Sequence, residues 1–145
     1  MDMLRFHRFT IGHAWCSDYG CADRAGDFDW LIRYSPLHNV RPPPPGVQFP
    51  SVLLLTGEHD DRVVPLHSLK YAAELQHQLC RRDSEQRNPV LLRVDTRTGH
   101  SAGKPTDKLL QETATIYAFM HRAMGGTWSD RGQALADTGM TRWRR

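Results

Sequence analysis

The stretch Leu53-Leu54-Leu55-Thr56-Gly57-Glu58-His59-Asp60-Asp61-Arg62-Val63-Val64-Pro65 decides the fold. Its first part, Ser51 to Thr56, is a short continuous apolar run, the pattern of a strand buried on both faces of a parallel sheet. The run ends in a turn rich in carboxylates. Pro65 suits a first helical position, and Leu66, Leu69, Ala73 and Leu79 then mark one face of a helix reaching about Cys80. Val90 to Val94 predicts the next strand, and Thr98-Gly99-His100 the turn that leaves it. A last helix is expected from about Thr106, as its cap, to Met124. Leu109, Leu110, Thr113, Ile116, Tyr117 and Met120 form its apolar stripe, and Gly125-Gly126 ends it. Strand, helix, strand, helix in that order implies an α/β fold with a parallel sheet and right-handed crossovers.

Ligands of such sheets sit beyond the carboxyl ends of the strands. Asp60 and His100 both fall in loops leaving those ends, which raises them above the other charged residues. An acid and an imidazole in that relation fit two members of a hydrolase triad, the acid orienting the ring and the ring moving the proton. Asp61 is the rival acid. The plainer alternative is a solvated acidic turn, Glu58 to Asp61, and an ordinary turn histidine. A serine on a strand-to-helix elbow is expected upstream of the acid, and the chain starts too late to contain it. Gly99-His100-Ser101-Ala102-Gly103 matches the G-x-S-x-G expression, but Thr96 to Thr98 separate it from its strand, Lys104-Pro105 follow it, and it comes after the acid. Ser101 is therefore not taken as the nucleophile.

Upstream, residues 1–21 suggest a short strand and a long loop. Residues 24–34 carry Phe28, Leu31, Ile32 and Tyr34 at near-helical spacing, stopped by Ser35-Pro36. Arg41 to Pro50 is a proline-rich surface connection, and Arg81 to Asn88 a polar loop. At 145 residues the length is that of one domain, while 39% apolar residues is low for a closed core. The net charge of +3 owes much to Arg142, Arg144 and Arg145, a thin footprint that does not support nucleic-acid binding. No stretch suits a membrane span, and the first residues lack the apolar core of a signal peptide. Three cysteines, Cys16, Cys21 and Cys80, favour reduced thiols and a cytoplasmic setting. His13, Cys16 and Cys21 could be metal ligands, but they fall short of the four that a structural zinc site wants. Neither a metal nor another cofactor is expected.

Several blocks go further. They are Met1-Asp2-Met3-Leu4, Thr10-Ile11-Gly12-His13-Ala14-Trp15, Asp18-Tyr19-Gly20-Cys21, Tyr34-Ser35-Pro36-Leu37-His38-Asn39-Val40, His59 to Lys70, and Thr98-Gly99-His100 with Ala102-Gly103-Lys104-Pro105-Thr106. In this order and spacing they resemble the C-terminal part of the catalytic domain of the prolyl oligopeptidase family, from the first residues to about Met124.

The resemblance implies a partial α/β-hydrolase fold, truncated at its N-terminus, over residues 1–128, with 129–145 a polar, disordered tail. It implies a serine-type endopeptidase that cuts short peptides after proline. By matching position Asp60 is the triad acid, His100 the base, and Arg62 the arginine that holds a substrate carbonyl. Trp15 is the ring that stacks on the substrate proline, and Ile11, Tyr19 and Val63 line its pocket. The family's serine, its oxyanion donors and its β-propeller have no counterpart in these residues, and Ser101 replaces a glycine. The chain alone is thus expected to be inactive, with the upstream part of the same domain as a partner. The alternatives are a non-catalytic interaction module and a related oligopeptidase or acyl-peptide hydrolase of different specificity.

Overall fold

A computed structural model describes residues 1–80, 84–100 and 104–127. Trp128, the tail 129–145, the serine at 101 and part of the loop expected over 81–88 lie outside the described residues. The elements are α1 (Cys16–Tyr19), α2 (Ala25–Tyr34), β1 (Val52–Gly57), α3 (Leu66–Leu79), β2 (Val90–Asp95) and α4 (Thr106–Ala123), with 3-10 turns at Phe6–Arg8, Thr10–Trp15 and Pro36–His38. β1 and β2 pair in parallel, Val52 opposite Val90 and Gly57 opposite Asp95. This is a partial α/β architecture, with α3 as the crossover between the two strands.

The expected elements from residue 24 onward form, with shifts of about one residue at helix starts. Pro65 is the residue before α3, and Pro105, not Thr106, the one before α4. The apolar face of α3 is a larger correction. Ser68, Ala72, Leu75 and Leu79 are among its buried residues, whereas Leu69 and Ala73 are exposed. Only Leu79 is shared with the stripe expected from sequence. Leu75 and Leu79 pack with Val40 and Val90, flanked by Phe49, Val52 and Tyr71, so contact with the connection before β1 and the start of β2 fixes the rotation of the helix. The α4 stripe is not buried here: Leu110 and Tyr117 are each 65% exposed, and α4 has no buried residue.

The start of the chain also differs from expectation. Residues 1–21 form no strand among the described residues. They turn repeatedly, through bonds such as Arg8 N–H to Arg5 O (3.0 Å) and Gly12 N–H to Phe9 O (2.8 Å). Gly12 lies so close to the Phe6 carbonyl that a Cβ there would be 2.0 Å from its oxygen. Local bonding satisfies backbone groups here, where the sequence suggests a short strand and a long loop.

This segment is pinned to α3 by a buried carboxylate. Asp2 is fully buried and accepts from Lys70 Nζ at 2.6 Å, while its own N–H donates to His67 Nδ1 at 3.2 Å. Burial by itself raises the Asp2 pKa. The Lys70 hydrogen bond and charge, aided by His38 and Arg5, outweigh it and hold the carboxyl below its usual range.

The two loops beyond the sheet are stitched backbone to backbone. Glu58 N–H donates to Asp95 O (2.9 Å) and His59 N–H to Thr98 O (3.0 Å). The Glu58 carboxylate returns to the Arg97 N–H at 3.0 Å. Gly57 makes this approach feasible, since a Cβ on it would lie 2.4 Å from Thr98 O and 2.9 Å from Gly99 O. Lys108 on α4 ties down the second loop through Thr96 O (2.7 Å) and Thr98 Oγ1 (2.9 Å).

Two expectations follow from these contacts. Gly57→Ala must separate the loops and destabilise the chain by about 1–3 kcal/mol, the cost of overpacking, read by denaturant unfolding. Asp2→Asn removes the charge facing the part-exposed Lys70 and costs about 1–3 kcal/mol at neutral pH. Because the folded pKa of Asp2 is depressed, its contribution is complete above the ordinary carboxylate pKa. It is lost as pH falls through the folded value. The variant's acid-side stability profile should accordingly be flatter than that of the parent.

Candidate active site

Asp60 stands in the loop after β1 and His100 in the loop after β2. Forty residues apart in sequence, they meet: His100 Nδ1 lies 2.8 Å from Asp60 Oδ2 and 3.0 Å from Oδ1. Asp60 is not free to swing, since its Oδ1 also accepts the N–H groups of Arg62 (3.0 Å) and Val63 (2.8 Å). These bonds fold the turn back over the carboxylate and aim it at the imidazole. The Asp60 side chain is 11% exposed and that of His100 36%. Burial pushes the Asp60 pKa up, but the hydrogen bonds from Val63, His100 and Arg62 prevail and hold it below its ordinary value.

Asp60, and not Asp61, therefore faces the histidine; Asp61 is exposed. Glu58 is committed to the Arg97 N–H, with His59 Nε2 at 3.7 Å. The carboxylate at Nδ1 favours the tautomer that donates from Nδ1, which in the neutral ring leaves the lone pair on Nε2. Among the described residues Nε2 of His100 has no hydrogen-bond partner.

One open cavity of about 640 Å³ adjoins the pair. His100, Trp15, Tyr19, Arg62 and Val63 line it, with Met1, Met3, Phe6, Tyr34 and His67. Four of the five expected substrate-binding residues thus share a wall with the histidine. Ile11 does not: it lies half exposed on the Thr10–Trp15 turn, outside the lining. Sequence reading missed Phe6, Tyr34 and His67. Phe6 is buried and meets Tyr19 edge-on, centroids 5.9 Å apart, which holds that ring at the cavity. The block match over Tyr34 to Val40 and His59 to Lys70 was the one signal that could have found Tyr34 and His67. Burial lowers the His67 pKa, and the nearby amino terminus and Lys70 add to the effect against Asp2, which favours its neutral form.

The arrangement can hold an imidazole in one tautomer with its lone pair directed away from the carboxylate, beside an aromatic wall with a guanidinium at its rim. That suits proton transfer to and from a bound substrate. Among the described residues, the residues placed to hold a metal are elsewhere, around His7, Cys21 and Asp23.

Comparison with known proteins identifies the family. The model of the prolyl oligopeptidase family matches residues 1–127. Prolyl oligopeptidase A of Amanita bisporigera is 50% identical over 131 residues, 90% of this chain and 16% of that protein. The prolyl endopeptidase of Dictyostelium discoideum is 51% identical over 124 residues, 86% of this chain and 16% of that protein. A solved structure from a study of two prolyl endopeptidases superposes with a TM-score of 0.77 at 32% identity, covering 88% of this chain and 18% of its own. The chain spans 16% of the length of both curated relatives. With the family model matched across nearly all of its residues, the chain belongs to the prolyl oligopeptidase family of serine peptidases.

Proposed function

We propose that this chain supplies the acid, the base and the proline-accepting wall of an endopeptidase that cuts short peptides after proline. The contact between Asp60 and His100 Nδ1 at 2.8 Å, beside a cavity lined by Trp15, Tyr19, Arg62 and Val63, carries the reading. A serine hydroxyl attacks the scissile carbonyl while His100 Nε2 takes its proton. Asp60 keeps the ring oriented and balances the imidazolium charge. The imidazolium then protonates the departing amine, and water repeats the sequence on the acyl-enzyme. The indole of Trp15 offers a flat apolar face to the rigid proline ring. Arg62, a permanent multiple donor, holds a substrate carbonyl.

In this reading the serine stands on an elbow in a chain segment preceding residue 1, and that segment is the natural partner of the residues described. A cytoplasmic setting belongs to the same reading, supported by the odd number of cysteines. The 145 residues alone should not cleave a prolyl reporter peptide. Joined to the elbow-bearing upstream portion of a relative, they should. Asp60→Asn should then lower kcat by about 10⁴-fold, as wrong-tautomer variants of triads do, and His100→Ala at least as much. Trp15→Ala should erode the preference for prolyl over dibasic reporters. Cleavage by the 145 residues alone would overturn the assignment of the nucleophile. A preference for dibasic reporters in the joined protein would favour the related oligopeptidases.

A second reading, an interaction module without catalysis, is favoured by the exposed stripe of α4, where Leu110 and Tyr117 face outward, and by a sheet of two paired strands among the described residues. Apolar surface and open strand edges invite a partner. On size exclusion with amide exchange, this reading expects self-association or protection gained only on mixing with the upstream portion. A well-protected monomer counts against it.

A further inference from the structure

The connection before β1 takes no part in the candidate site, yet it carries the run Arg41-Pro42-Pro43-Pro44-Pro45-Gly46-Val47. Each proline ring fixes φ near about −65° and pushes the residue before it into extended backbone. Arg41 to Pro44 all precede a proline, and residues 41–44 are neither helix nor strand. Their backbone is that of polyproline II. A turn then ends the run. Val47 N–H donates to Pro44 O at 3.0 Å across Pro45 and Gly46, and Gly46 has a φ of +76°. Proline followed by a left-handed glycine marks a type II turn, whose first central residue keeps near-polyproline angles, so Pro45 belongs to the strap.

Both ends of the strap are anchored. Val40 is part of the apolar core. Past the turn, Gln48 Nε2 donates to Glu85 O at 2.9 Å and Phe49 N–H to Gln86 Oε1 at 2.8 Å. Polyproline II turns once in three residues, so Arg41 and Pro44 share one edge, Pro42 and Pro45 a second, and Pro43 stands on the third. Pro43 is half-buried, while Arg41, Pro42, Pro44 and Pro45 are exposed. Among the described residues, no hydrogen bond reaches the carbonyls of Pro42, Pro43 or Pro45.

We propose that this strap is a docking segment for a protein domain that reads polyproline II through a groove lined by aromatic rings, seated on the two outward edges. The chemistry of the strap selects that occupant. Rigid pyrrolidine rings on adjacent edges fill the slots between aromatic side chains. The strap has no proline N–H to satisfy, and its open carbonyls accept from indole N–H or tyrosine O–H groups. Because the backbone is already extended and tied at both ends, little ordering entropy is lost on binding. Arg41 sets the orientation. Its Nη1 donates to Val40 O at 2.9 Å, and Nε and Nη2 bond no group among the described residues, which leaves them for a carboxylate flanking the groove. The strap shares a cleft with Gln78 and Leu79 at the last turn of α3. It thus lies where the strands begin, at the opposite end of the sheet from Asp60 and His100, and a docked domain leaves the cavity open.

The test titrates the 145-residue chain into isotope-labelled SH3, WW and EVH1 domains as probes, followed by NMR. The expected result is saturable binding by at least one probe, with perturbed resonances confined to its aromatic groove and displacement by a free proline-rich peptide. Against that probe, Pro42→Ala and Pro45→Ala should each weaken binding about tenfold, as truncation of an anchor does. Arg41→Gln should weaken it and flatten its salt dependence. Pro43→Ala should change it far less, although it relaxes the backbone as much as the other replacements. That contrast reads the outward edges and not stiffness alone. Circular dichroism checks that each variant keeps the parent fold. Absence of binding to all three probes, perturbation away from the groove, or a loss with Pro43→Ala equal to that with Pro42→Ala would each overturn the proposal.

Discussion

The candidate site depends on how closely two loop backbones pass. The parallel register sets Gly57 opposite Asp95, so the chains leaving β1 and β2 emerge side by side. A glycine at the first of these positions lets the Thr98 and Gly99 carbonyls approach to where a side chain would otherwise stand. The resulting bonds from Glu58 and His59 fix the loops relative to each other before any catalytic side chain is considered. Only then can a carboxylate and an imidazole forty residues apart meet at 2.8 Å. The precision of the pair comes from the backbone beneath it, and Lys108 of α4 extends that support to the histidine loop.

Among the described residues, several long-range interactions hold the segments of the molecule together. The described apolar core is small: Val40, Leu75, Leu79 and Val90 seat the crossover helix against the strands. Polar links carry much of the rest. Asp2 joins the N-terminal turns to α3 through Lys70. Arg93 joins β2 to α4 through Thr115 and the Gln111 carbonyl, and it pairs with Asp95 on its own strand. Gln86 and Asn88 bind the Phe49 backbone from across the sheet's entry. Such links also explain why the cavity wall is aromatic but open. Trp15 and Tyr19 are carried by short turns that Phe6 and the Asp2 anchor position, not by a deep core.

Where the reading from sequence diverged, the cause was local pattern meeting tertiary contact. The Leu66–Leu69–Ala73 stripe was a reasonable helical face, yet α3 turned Ala72 and Leu75 inward because Val40 and Val90 lie on that side. Residues 1–21 suggested a short strand and a long loop, but turns closed by bonds between residues three apart satisfy much of that backbone locally. The α4 stripe was correctly periodic and stays uncovered among the described residues, since periodicity states which face is apolar and not what lies against it.

By itself the sequence determined the order of strand, helix, strand and helix, because apolar period and turn chemistry are local properties of the chain. Its ordered blocks also pointed to the family, and with it to Asp60, His100, Trp15 and Arg62. The tertiary structure alone decided that Asp60 rather than Asp61 meets the histidine, and that His7 rather than His13 lies beside Cys21. Both choices turn on the direction in which neighbouring or distant side chains project, which is fixed by hydrogen bonds and close packing between segments far apart in the chain.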